Sequence, residues 1–75
     1  SNWFDKSQAV MQGIAAHDQG RYKLARRRYK EALQLSRELG DRLGEAYNLN
    51  NIGRVARHSE PDIAERRSLL ERTLD

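Results

Sequence analysis

The chain contains no cysteine, only one proline, and no apolar run near the roughly 18 residues that a bilayer-spanning helix needs. Each absence excludes something. Without cysteine, neither a disulfide nor a thiolate metal site can staple the fold. Without a long apolar run, or a short one behind a basic leader, neither a membrane span nor a secretory leader is expected, so the chain reads as soluble and cytoplasmic. One proline and five scattered glycines leave no low-complexity linker, and residues 1–75 are expected to form a single domain. No stretch alternates with the period of two that a strand requires.

What is present is a short, highly charged chain. At 75 residues, one core is expected to supply only about 3–5 kcal/mol, so the fold must rest on close helix packing or on association with another chain. Lysine and arginine number 14 against 11 acidic residues, for a net charge of +3. The two signs are interspersed, as on solvated helix faces. The Ser1-Asn2 start without Met reads as that of a fragment or as a tag remnant, and a last helix that would stop at its final apolar residue leads us to expect that the native protein continues.

Apolar and small residues recur with helical spacing throughout. A first helix is expected from about Asp5 to Asp18, with Ala9, Gly13 and Ala16 on one stripe, closed by Gly20. A second would bury Tyr22, Ala25, Tyr29, Ala32 and Leu33, with Gly40 closing it and Asp41 capping the next. The third is expected to turn Ala46, Leu49, Ile52, Gly53 and Ala56 inward. Ser59-Glu60-Pro61-Asp62 supplies the last turn, and a fourth helix from about Pro61 to the end offers Ile63, Leu70 and Leu74. The expected fold class is all-α, two antiparallel helix hairpins in four helices.

The two halves repeat one another. Gly13 and Gly53 are 40 residues apart, as are Ala16 and Ala56, while Tyr29 to Leu70 and Leu33 to Leu74 are 41 apart. Such a period marks a helical repeat. A glycine in mid-helix costs about 1 kcal/mol relative to alanine, so two at equivalent places point to close helix approach. The pairs expected are Gly13 against Tyr22 or Tyr29, and Gly53 against Leu70.

These residues resemble the tetratricopeptide repeat, whose hairpin carries a small residue in mid-helix, a Gly-aromatic turn and an Ala-x-x-x-aromatic-x-x-Ala stripe. Gly13, Ala16, Gly20-Arg21-Tyr22, Ala25, Tyr29 and Ala32 carry the match in the first hairpin. Leu49-x-x-Ile52-Gly53-x-x-Ala56 carries it in the second, where Arg66 and Thr73 replace the two alanines. Gln12 stands where the family usually has a large apolar residue. The spacing and the joint from Glu38 to Ala46 resemble an extended subclass of about 40-residue repeats, common in bacterial regulatory and scaffold proteins. The resemblance implies a short α-solenoid with one repeat over about residues 6–40 and a second over about 41–75.

It also implies a non-catalytic adaptor that binds a peptide or partner helix on the concave face built by the first helix of each hairpin. The residues expected on that face are Ser7, Val10, Met11, Ile14 and His17, then Tyr47, Asn50, Asn51, Arg54, Arg57 and His58. Asn51 would exchange hydrogen bonds with a ligand's backbone, or simply be solvated. Arg54 and Arg57 offer forked donors to an acidic partner, or pair with Glu60 or Asp62. The alternative is a self-assembly module, a homodimer made through Trp3, Phe4, Leu70 and Leu74. A smaller alternative is nucleic-acid contact through the Arg26-Arg27-Arg28 cluster with Arg21, Lys23 and Lys30, although no aromatic stacking platform is interleaved on that face. His17 and His58 are isolated in sequence, and no His or carboxylate pair has metal-ligand spacing. Neither an enzyme nor a cofactor or metal site is expected.

Overall fold

A computed structural model describes residues 2–58, 67 and 70–72 of the chain. Three α-helices follow one another, α1 over Asn2–Asp18, α2 over Tyr22–Leu39 and α3 over Arg42–Arg57. Residues 67 and 70–72 are also helical, and no strand occurs among the described residues. The all-α, hairpin-based architecture is the one the spacing predicts. Most of the expected fourth helix, with Ser59, Pro61, Ile63, Leu74 and the proposed partners Glu60 and Asp62, lies outside the described residues. The first helix starts at Asn2, earlier than Asp5, so Asp5 sits within its first turn, where a carboxylate suits the positive end of the helix dipole.

Both tight turns are built alike. Gly20 and Gly40 take φ of 76° and 69°, the left-handed region open to glycine without steric penalty. The next residue's N–H then reaches back over the helix end. Arg21 donates to the Ala16 carbonyl and Asp41 to the Ser36 carbonyl, each at 2.8 Å. Asp41 at once starts α3, accepting the Gly44 N–H at 3.0 Å through Oδ1.

The core is narrow and made mostly of small side chains. Ala9 and Ala16 from α1, Ala25, Tyr29, Ala32 and Leu33 from α2, and Val55 from α3 are buried. Helix α2 packs against α1 on one side and against α3 on the other. Gly13 makes the first contact possible: a Cβ there would lie 2.9 Å from Cδ1 and Cε1 of Tyr29. That selects Tyr29 as the ring against Gly13.

The second expected pair does not form. Among the described residues, a Cβ on Gly53 would meet nothing within 4 Å, and Leu70 is exposed. The inner face of α3 is also rotated from the one expected. Asn48, Asn51 and Val55 are buried, with Ile52 partly so, while Ala46, Leu49, Gly53 and Ala56 are exposed. The cause is local. Gly44, one turn into α3, lets the helix settle on Ser36 of α2, and Asn48 Nδ2 donates both to Ser36 Oγ at 3.3 Å and to the Gly44 carbonyl at 2.8 Å. A polar contact therefore sets the register, where a purely apolar reading picks the small-residue face that a following helix would cover.

Candidate functional site

Because α2 holds α1 and α3 apart, a groove of about 600 Å³ opens between those two helices. Lys6, Ser7, Val10 and Met11 form the α1 wall. Across it stand Leu43, Gly44, Tyr47 and Asn48 of α3, with Asp41 at the turn. One end is tied by an ion pair from Lys6 Nζ to Asp41 Oδ2 at 2.5 Å, both side chains 16 % exposed. The same ammonium lies 4.3 Å from the centre of the Trp3 ring. Lys6 first, then the Gly44 N–H, hold the Asp41 carboxyl below its ordinary range.

Between the ends, the walls are apolar and open. Met11 is 65 % exposed and Tyr47 47 %, so their side chains face outward instead of filling the core. Asn48 alone of the two buried asparagines of α3 lines the groove beneath them. Asn48 is fully buried, yet its Oδ1 has no hydrogen-bond partner among the described residues, and neither has Nδ2 of Asn51 one turn further along α3. Burial pushes the Tyr29 phenol above its ordinary value, and Tyr47 adds to that rise while Arg54 opposes it. Tyr29 packs with Ala16, Ala25 and Val55 in the core that joins the three helices.

The expected binding residues do not all come together. Met11 and Tyr47 line the groove, as do Ser7 and Val10. Ile14 is 39 % exposed and Asn50, Arg54 and Arg57 are exposed. Asn51, expected on the open face, is only 5 % exposed because α3 is rotated toward α2. Lys6, Asp41, Leu43, Gly44 and Asn48 line the groove without having been singled out for binding. The three-residue step from Gly44 to Tyr47 and the four-residue steps from Leu43 to Tyr47 and Gly44 to Asn48 carried that signal.

With the hairpins and the groove in place, comparison with known families is decisive: the tetratricopeptide repeat model matches residues 7–75. The chain belongs to the tetratricopeptide repeat family. Neither a curated protein nor a solved structure matches it. Tetratricopeptide repeats in general mediate protein–protein interaction and are typically non-catalytic modules. In this tetratricopeptide repeat, no helix among the described residues is long and apolar enough to cross a membrane.

Two further clusters stand beside the groove. His17 and His58, isolated in sequence, are neighbours in space, their ring centres 5.8 Å apart at the groove end opposite Lys6 and Asp41. On the outer side of α2, Lys23, Arg26, Arg27 and Lys30 step by three and four and line one shallow depression. Arg28 turns away from them to pair with Glu31 at 3.1 Å.

Proposed function

We propose that the chain is a protein-interaction module that takes a segment of a partner protein in the groove between α1 and α3. The observation that carries this reading is the open groove itself, whose α1 wall presents Met11 and whose α3 wall presents Tyr47, both exposed instead of packed into the core. Met11 and Tyr47, both open to solvent, supply apolar contact for an anchoring side chain, with Ile14 continuing the α1 wall. Further along, Asn50, Arg54, Arg57 and His17 would meet polar or acidic groups of the partner.

A peptide library selected on the chain, with binding then compared in Met11→Ala and Tyr47→Ala, tests the reading. Both positions are exposed, so the helices should stay intact. A buried aromatic anchor typically carries at least about 2 kcal/mol, so Tyr47→Ala should weaken the selected peptides by about 30-fold. Unchanged affinity in both variants overturns the groove as the binding surface.

A second reading, self-association, is favoured by the outward position of apolar residues at the ends of the chain. Trp3 is 54 % exposed, Phe4 62 % and Leu70 65 %. Leu74 lies outside the described residues. Light scattering over a concentration series tests it: a mass that rises with concentration is expected, and a constant monomer mass excludes it.

A further inference from the structure

We infer that His17 and His58 form a two-histidine site for a divalent transition-metal ion, clamping the far ends of α1 and α3. The two residues come from different helices, 41 positions apart in sequence. His17 lies in the last turn of α1 and is half-buried; His58 caps the end of α3 and is exposed. Their ring centres are 5.8 Å apart, with the planes tilted by 43°.

That separation suits one shared ion. A zinc–nitrogen bond of about 2.0–2.1 Å, added to the ring radius, puts the ring centre about 3.2 Å from the metal. Two imidazoles at a tetrahedral angle then have centres about 5.2 Å apart, and at the widest angle about 6.4 Å. The observed 5.8 Å falls inside this window.

The surroundings favour a cation at this place. Both rings sit at the C-terminal ends of helices, the negative ends of the helix dipoles. Tyr22, the first residue of α2, lies 5.6 Å from His17 and 6.3 Å from His58, ring centre to ring centre, and restricts both imidazoles from one side. Arg54 and Arg57 in the last turn of α3 oppose a second positive charge, but they are exposed and water screens them. Among the described residues, no third histidine, cysteine or carboxylate joins the pair. Water or a group from a partner would complete the coordination, and imidazole ligands select zinc, copper or nickel over magnesium or calcium.

Zinc chloride titrated calorimetrically into the tag-free chain tests the site, with magnesium chloride as control. One zinc per chain is expected with micromolar affinity, and no heat from magnesium. Since even an outer-shell change around a bound metal weakens it by about 10–100-fold, His17→Ala and His58→Ala should each weaken zinc binding by at least about tenfold. Imidazole resonances of the unmodified chain give a readout that does not depend on the variants folding: zinc should shift both His17 and His58 together at a ratio of one. Absence of binding, undiminished binding in either folded variant, or a shift confined to one histidine overturns the site.

Discussion

The same substitution, glycine to alanine, should have opposite effects at two positions one repeat apart. In both places the change removes the excess backbone freedom of a mid-helix glycine, worth about 1 kcal/mol of stabilisation. At Gly13 the added methyl would sit 2.9 Å from two atoms of the Tyr29 ring. That ring is buried with Ala16, Ala25 and Val55 around it, so it cannot swing aside as a flexible chain end would. Overpacking of a rigid core contact costs about 1–3 kcal/mol, so the propensity gain should be cancelled or outweighed and Gly13→Ala should lose up to about 2 kcal/mol. At Gly53 no atom of the described residues lies within 4 Å of the same methyl. There the propensity term acts alone, and Gly53→Ala should gain up to about 1 kcal/mol. In a domain of this size each kcal/mol moves Tm by about 4–8 °C, which urea and thermal unfolding followed by circular dichroism resolve easily. Gly13→Ala more stable than the parent, or Gly53→Ala clearly less stable, would refute the packing described.

Three further outcomes follow from local geometry. Gly40→Ala places a Cβ in the left-handed region at φ 69° and should cost about 1–2 kcal/mol in urea unfolding; a neutral effect would mean the turn can relax. Asp41 is held below its ordinary carboxylate range in the folded chain, so its contribution is full above about pH 4 and is lost as the pH falls through the lower folded value. Asp41→Asn should therefore flatten the acid limb of stability against pH, and an unchanged limb would remove Lys6 and Asp41 from the account. Asn48→Ala strips a fully buried donor from Ser36 Oγ and the Gly44 carbonyl and should cost about 1–3 kcal/mol in the same unfolding assay, whereas no loss would mean that α3 is not registered by that contact.

Much of the first hairpin was legible in the sequence. Gly20 and Gly40 announce their turns because positive φ is open to few other residues, and the stripe from Ala25 through Tyr29 to Ala32 follows the helical period. The face of α3 was not legible in the same way. Its small residues, Ala46, Gly53 and Ala56, look like a packing stripe, but the contact with α2 is made by Gly44, Asn48, Asn51 and Val55. Hydrophobic periodicity cannot see that Asn48 is buried by a hydrogen bond to Ser36. The groove was half legible for the same reason. Met11 and Tyr47 fall on it by helical spacing, while Lys6 and Asp41 meet across 35 residues and only the folded chain brings them together. The approach of His17 and His58 is likewise a product of three helix ends converging.

The central claim is that partners enter between α1 and α3. Amide chemical-shift mapping of the 15N-labelled chain with a library-selected peptide tests it most directly. The account predicts shifts concentrated at Lys6, Val10, Met11, Leu43, Tyr47 and Asn48. Shifts confined to Lys23, Arg26, Arg27 and Lys30 on the outer side of α2, with the groove unmoved, would contradict it.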